Sequence, residues 1–218
     1  MLAETGSAHH RLLVRIEWVS YATVKRVVDV LLSVVVSIAI IPLWVAIAAA
    51  IKLDSPGPVI FVQERVGFKG KRFRCFKFRT MQVDAEAMLE EMRRRGDVDG
   101  PVYKLRDDPR VTRVGRVLRR TSLDELPQLL NVLKGEMSLV GPRPCIPAHI
   151  EQLRSEDLIR LSARPGLTCL WAVRGRSDCG FEGWMAADRE YISRQSPWLD
   201  AWILVKTVSV VLRCRGAY

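Results

Sequence analysis

Two adjacent carboxylates dominate the stretch Arg119-Arg120-Thr121-Ser122-Leu123-Asp124-Glu125-Leu126-Pro127. Leu126, Leu129, Leu130 and Leu133 follow at helical spacing and Gly135 closes the run. Asp124 and Glu125 therefore fall at the start of a helix, with Arg119 and Arg120 about one turn upstream. Pattern alone favours capping, because Ser122-x-x-Glu125 fits a capping box and Asp124 is itself a good N-cap. Two considerations point to chemistry instead. A helix N-terminus favours an ionised carboxylate, and its free backbone N–H groups also favour a phosphate. An aspartate held there beside arginines is set up to attack a phosphorus atom.

The second consideration is an excess of rigidly presented cations. Arg143 lies between Pro142 and Pro144, Arg164 precedes Pro165, and Arg176 follows Gly175. Flanking prolines fix the backbone, so less entropy is lost when a guanidinium grips a phosphate through two bonds. Taken singly, each of these is more often a plain surface residue. Lys77 and Arg79 share one face of a predicted strand with Phe73 and Cys75. A strand edge guarded by charge explains that pair equally well. Asp107-Asp108-Pro109 could hold a divalent ion, although an Asx-type turn is the simpler reading. Three scattered histidines fit neither a His-based zinc site nor a Ser-His-Asp triad.

These groups need something to hold them near their substrate, and the run from Val27 to Ile51 supplies it. Its 25 residues contain only Asp29, Ser33 and Ser37 as strongly polar members, with Pro42 inside. As a helix it would extend roughly 37 Å, against a hydrocarbon core of about 30 Å. Both flanks are basic, with Lys25 and Arg26 before it and Lys52, Arg65 and Lys69 after it. Positive charge favours the cytoplasmic side, and here it does so at both ends. A helix that enters, bends at Pro42 and returns to the same face satisfies both flanks. Asp29, Ser33 and Ser37 form one stripe that could line the inside of the bend. An ordinary spanning helix with a proline kink is the alternative. A signal peptide does not fit, since the run is too long and lacks a small-residue cleavage site.

The 218 residues leave room for one domain beside this segment. The net charge of +10 and pI near 9.8 suit lipid headgroups, nucleotides or phosphates. Nucleic acid is disfavoured, because the basic residues are scattered and not interleaved with aromatics. Five cysteines without a C-x-x-C pair read as reduced thiols facing the cytosol. Strands are predicted at 59–66 and 71–79 as a hairpin, and a charged helix from Thr80 to Arg95. Amphipathic helices are predicted at about 147–162 and 181–195. An apolar tail from Trp198 to Leu212 reads either as an interfacial helix or as a core-packed one.

Six motifs, in order along the chain, resemble those of the bacterial sugar transferase family. They are Lys25-Arg26-x-x-Asp29, Lys77-Phe78-Arg79-Thr80-Met81, Asp108-Pro109-Arg110-Val111-Thr112, Arg120 to Gln128, Gly141-Pro142-Arg143-Pro144 and Arg164-Pro165-Gly166-Leu167-Thr168. This family comprises monotopic polyprenyl-phosphate phosphoglycosyl transferases that start glycan assembly, and the chain resembles its short, catalytic-domain form, without the extra amino-terminal helices of larger relatives. The resemblance implies Mg²⁺-dependent transfer of a sugar 1-phosphate from a UDP-sugar to polyprenyl (undecaprenyl) phosphate. It implies Asp124 as nucleophile, Glu125 as its partner acid and metal ligand with Asp124, and UMP as the leaving product. Lys77, Arg79, Arg119, Arg143, Arg176, Asp188 and Asp200 match positions expected to bind phosphate or substrate. Pro42 matches the family's helix-breaking proline, with Ile41 where serine is common. Ser177 stands where several relatives carry asparagine, which bears on sugar choice.

The resulting expectation is a mostly helical α+β protein with a small β-hairpin. It would be a monotopic membrane protein with an N-terminal interfacial segment (1–26), a re-entrant membrane helix (27–51) and a cytosolic catalytic domain (52–218). Its place would be the cytoplasmic face of a bacterial inner membrane, among membrane lipids, serving exopolysaccharide, capsule, O-antigen or glycoprotein assembly. A homodimer is left open. The competing reading is a non-catalytic basic scaffold that recruits glycan enzymes.

Overall fold

The computed structural model describes residues 3–95, 108–151, 153–175 and 180–212, with side chains from Tyr21 to Val211. Helix α1 (Ala3–Ala39) runs unbroken past Arg26, so no boundary separates the expected interfacial segment from the apolar run. The chain then turns at Ile40 (φ −98°, ψ 9°) into α2 (Ile41–Asp54). Pro42 sits in the first turn of α2, where its missing N–H costs nothing. The bend therefore falls two residues before the proline and not at it, because Pro42 cannot donate to the Ile38 carbonyl and its ring clashes with that preceding turn. The segments Tyr21–Ala39 and Ile41–Asp54 meet at 62°. Among the described residues no single helix is long and apolar enough to cross a membrane, but this bent pair meets the test together.

After α2 come β1 (Ile60–Val66) and β2 (Arg72–Phe78), an antiparallel hairpin pairing Ile60 with Phe78 and Val66 with Arg72. Helix α3 (Ala85–Arg95) is shorter than the predicted one, since 80–84 is non-helical. Its Glu91 pairs with Arg95 at 2.8 Å on a solvated face. Helix α4 (Arg113–Thr121) leads into a tight 3-10 turn (Leu123–Gln128), then α5 (Leu129–Lys134). Beyond lie β3 (Ser138–Val140), α6 (Pro147–Ile150), a 3-10 segment (Ser155–Ser162), β4 (Gly166–Thr168), α7 (Leu170–Arg174), α8 (Gly180–Arg194) and α9 (Pro197–Leu212). The helix predicted over 147–162 is thus two short pieces. The parallel pair β3–β4 has no counterpart in the sequence reading, because three-residue strands carry too little periodicity.

The main core packs Leu129, Val132, Met137, Val140, Leu170, Tyr191 and Ile203 from α5, β3, α7, α8 and α9. A second cluster joins Ile47 and Ile51 of α2 to Phe78 and Leu118, which seats the bent helix on the hairpin and α4. Helix α1 is docked by polar groups. Arg26 donates to the Val132 and Leu133 carbonyls at 2.6 and 3.0 Å, filling the orphan acceptors at the end of α5. Asp29 accepts from Ser138 Oγ (2.7 Å) and Leu139 N (3.2 Å). Its role is to anchor β3, not to line the bend. Helix α9 has Ile203 in the core while Trp198 and Val205 are 85% and 71% exposed, so it presents one edge inward and one outward.

Asn131 couples α5 to the hairpin: its Oδ1 accepts from Phe76 N (3.1 Å) and its Nδ2 donates to Arg74 O (2.7 Å). Replacing a buried side chain that satisfies two backbone groups strands both. Asn131→Ala should destabilise the protein by about 2–4 kcal/mol in chemical denaturation. A loss under about 1 kcal/mol would mean that the hairpin is held by its apolar face alone.

Candidate active site

Helix α4 begins with Thr112, whose side chain accepts from Gly115 N at 2.9 Å. It ends at Ser122, which adopts a left-handed conformation (φ 58°) and makes no side-chain capping bond. The capping box expected from Ser122-x-x-Glu125 is therefore not formed. The left-handed residue redirects the chain, and the 3-10 turn that follows presents Asp124 and Glu125 together in its first turn. Tertiary charge has taken Glu125 away from local capping. Lys77 Nζ and Arg143 Nη2 both donate to Glu125 Oε1, each at 2.8 Å.

This convergence divides the two carboxylates electrically. Burial alone would push the Glu125 carboxyl up, but Arg143 and Lys77 together outweigh it and hold the group well below the usual carboxylate range. The Arg143 guanidinium is driven up in turn, chiefly by Glu125. Asp124 shares the enclosure without a dedicated partner. Its carboxyl is pushed up to about 6, first by burial and then by the Glu125 charge, against the opposing pull of Lys77, Arg143 and Arg119. Arg119 donates from Nε to Thr80 Oγ1 at 2.9 Å; burial lowers its basicity, and Asp124 partly restores it. The outcome is one strongly ionised carboxylate locked between cations and one neighbour that is ionised at neutral pH yet poorly compensated.

Arg143 is presented by a pinned segment. The Pro142 carbonyl accepts from Gly166 N (2.9 Å), and Gly141 N donates to Thr168 O (3.1 Å). A Cβ on Gly141 would lie 2.3 Å from the Arg164 carbonyl, and one on Gly166 would lie 2.1 Å from Gly141 N. Only glycines allow this approach of two backbones. Arg160 donates to the Arg143 carbonyl and pairs with Asp188 at 2.8 Å, beneath the Trp184 ring.

Other expected site residues are placed elsewhere. The Arg79 guanidinium donates to Ser55 O and Oγ at 2.8 and 2.9 Å and to Pro56 O, clipping β2 to the end of α2. Asp200 accepts from Tyr21 (2.9 Å), Lys25 (2.7 Å) and Tyr191 (2.8 Å) and so ties α1 to α8 and α9. Asp188 lies one layer behind Arg143, its carboxyl pushed up to about 7 by burial against the pull of Arg160 and Arg143. Arg176 and Ser177 lie outside the described residues, as does Asp107. Asp108 forms an Asx turn, accepting from Arg110 N at 3.0 Å and from its guanidinium at 2.9 and 2.6 Å. Arg160 carries no sequence signal, because a lone arginine looks like a surface residue until the fold buries it.

Magnesium demands oxygen donors in octahedral array and usually takes one or two carboxylates plus substrate phosphates and water. Asp124 and Glu125 supply the one or two carboxylates of such a set. Among the described residues no cluster of three acidic, histidine or cysteine side chains forms an all-protein cage. The donor set suits an ion shared with a diphosphate.

The raised Asp124 pKa has a stability consequence. A folded-state value above the unfolded one means that folding disfavours the ionised form, so the penalty is absent below about pH 4, grows toward pH 6 and is complete above it. Asp124→Asn should stabilise the protein by about 1–3 kcal/mol at pH 7.5 and by much less at pH 4, measured by denaturant titration. Equal effects at both pH values would contradict the buried, under-compensated charge.

Comparison with known sequences agrees with the motif pattern. The chain is similar to the UDP-galactose-lipid carrier transferase of Erwinia amylovora, 43% identical over 199 residues covering 89% of this chain and 41% of that protein. It is 42% identical over 201 residues to the exopolysaccharide production protein ExoY of Rhizobium meliloti strain 1021, covering 89% and 88%. It is 44% identical over 205 residues to the UDP-glucose:undecaprenyl-phosphate glucose-1-phosphate transferase of Caulobacter vibrioides, covering 89% and 72%. The chain thus spans about two fifths of the first relative and most of the other two. The sequence model described as "Bacterial sugar transferase" matches residues 20–214, and the chain belongs to that family.

Proposed function

We propose that this protein transfers a sugar 1-phosphate from a UDP-sugar to polyprenyl phosphate through a covalent intermediate on Asp124. The observation that carries the proposal is the electrical split between the two carboxylates. Lys77 and Arg143 satisfy Glu125, which leaves Asp124 ionised, adjacent and poorly solvated. Such a carboxylate is a competent nucleophile in a site whose surplus cations, Arg119 among them, can hold phosphoryl oxygens. The names of the relatives, which specify galactose or glucose phosphate and a lipid carrier, support the substrate class.

In the first half-reaction an Asp124 carboxylate oxygen attacks the sugar-bearing phosphorus. An acyl-phosphate bond forms, the bond from that phosphorus to the bridging oxygen breaks, and UMP leaves with the bridging oxygen and its electron pair. In the second, an oxygen of the lipid phosphate attacks the same phosphorus. The Asp124 carboxylate is restored and a diphosphate-linked sugar departs. Two bulky substrates can thus use one site in turn. Lys77 and Arg143 keep Glu125 ionised and oriented throughout, and Arg119 faces the charge of the attacked phosphoryl group. Mg²⁺, held by Asp124 and Glu125, would neutralise charge on the phosphoryl oxygens and orient the diphosphate.

A lipid phosphate must reach this site. The bent α1–α2 pair, with Val27, Leu31, Val35, Ile38 and Val45 exposed, supports a chain that dips into one leaflet of the bacterial inner membrane from the cytoplasmic face. Basic flanks on both sides favour return to the same face. In that arrangement α2 seats against the hairpin that carries Lys77, which keeps the site at headgroup level.

Two experiments test these readings. Purified protein with UDP-glucose or UDP-galactose, Mg²⁺ and undecaprenyl phosphate should release UMP. Asp124→Asn should lower the rate by roughly 10³-fold or more and abolish the phosphosugar mass adduct seen without acceptor. Parent-like activity in that variant would remove Asp124 as nucleophile. Single cysteines introduced as Ser20→Cys and Leu53→Cys should both react with an impermeant maleimide from the same side of sealed vesicles; labelling from opposite sides would establish a crossing helix.

A further inference from the structure

The proposed function leaves Arg65 without a role, although it is a third cation within electrostatic reach of the Glu125–Arg143 pair. It stands on β1 opposite Phe73. Its Nη1 donates to the Pro144 carbonyl at 3.1 Å and its Nη2 to Gln63 Oε1 at 2.5 Å. Gln63 is two residues away on the same strand face, so it fixes the direction of the guanidinium. Burial is the main influence lowering Arg65 basicity, and the nearby Arg143 charge is the next. Its Nε is buried without a hydrogen-bond partner. An arginine in this position is costly to the free protein, since it is desolvated, incompletely paired and beside a like charge.

The position of its one long-range bond explains what that cost accomplishes. Pro142 and Pro144 lack N–H groups, so this stretch is held largely through its carbonyls. Four successive carbonyls each have a donor: Pro142 from Gly166 N, Arg143 from Arg160, Pro144 from Arg65, and Cys145 from Val66 N. Three of these donors act on Arg143 and the two residues after it. Arg160 holds its own carbonyl, while Arg65 and Val66, neighbours on β1, hold the two that follow. The strand that carries Arg65 pairs with the strand that carries Lys77. One hairpin therefore sets both cations of Glu125, Lys77 directly and Arg143 through the Pro144 carbonyl.

We infer that Arg65 is a positioning residue for the transfer reaction: through the Pro144 carbonyl it fixes Arg143 on Glu125, and with it the field that keeps Asp124 reactive. The inference rests on the proposed function for its activity readout, and its mechanism is separable from that function. A residue that acts through Arg143 has no work left once Arg143 is gone.

A double-mutant cycle on UMP release therefore tests it. Arg65→Gln should lower kcat by roughly 100-fold with a smaller change in KM for the UDP-sugar, as expected for loss of alignment of about 1 Å. Arg65→Lys, which keeps one donor for Pro144, should recover part of the loss. In an Arg143→Gln background, Arg65→Gln should cost less than about 3-fold. Independent, multiplying losses in the double variant, or a single Arg65→Gln variant at parent level, would overturn the inference. The second readout needs no activity. In protein labelled with ¹⁵N-arginine, the Arg143 guanidinium resonance, assigned by its disappearance in Arg143→Gln, should shift in folded Arg65→Gln. An unmoved resonance would overturn the positioning role. A parent protein that releases no UMP with any donor defeats the proposed function, and the resonance alone then decides the role of Arg65.

Discussion

Much of this molecule is arranged so that Lys77 and Arg143 meet on one oxygen of Glu125. The three residues come from a hairpin strand, a proline-flanked segment and a tight turn, separated by 48 and 18 positions from Glu125. A partly buried carboxylate needs such partners to remain charged. Burial opposes the charge of both Glu125 and Arg143, so each depends on the other. The triad is therefore stable only as a set, and the surrounding fold supplies the fixed distances that make it one. Its effect on Asp124 is indirect: Glu125 takes the direct bonds of Lys77 and Arg143, and the neighbouring aspartate takes what field is left.

Attachment of the bent helix pair follows a different physical logic. A helix with an apolar exterior has little reason to orient itself on a basic domain by hydrophobic contact alone. Tyr21, Lys25, Arg26 and Asp29 give it orientation, each meeting a specific partner in α5, β3 or α9. Arg26 occupies the carbonyls that end α5, the helix that follows the Asp124–Glu125 turn. Helix α2 completes the arrangement by burying Ile47 and Ile51 on Phe78 and Leu118. The same backbone that would sit in lipid thus has rigid contact with the elements on either side of the two carboxylates.

The hairpin, the bend near Pro42 and the helices that became α5, α8 and α9 were legible in the residues. Hydrophobic period, turn residues and motif spacing are local signals, and those features are local. Arg79 and Asp200 show what the residues alone could not convey. Each is a charged group at a matching motif position, but each finds partners across the fold, Arg79 at Ser55 and Pro56 and Asp200 at Tyr21, Lys25 and Tyr191. Motif position identifies a residue that the fold needs; it does not say whether the need is chemical or structural. Ser122 was misread: its pattern fits a cap, but a left-handed backbone at that residue re-aims the chain.

By itself, the sequence determined the apolar bent segment, the surplus of positive charge and the placement of two adjacent carboxylates just ahead of a helix. These depend on composition and on spacing within about a dozen residues. Only the tertiary structure decided which carboxylate is paired with Lys77 and Arg143, which is left without them, and which arginines lie beside the two carboxylates and which clip elements together. Those outcomes turn on distances of a few ångströms between residues far apart in the chain, and Coulomb energies and desolvation change steeply over that range.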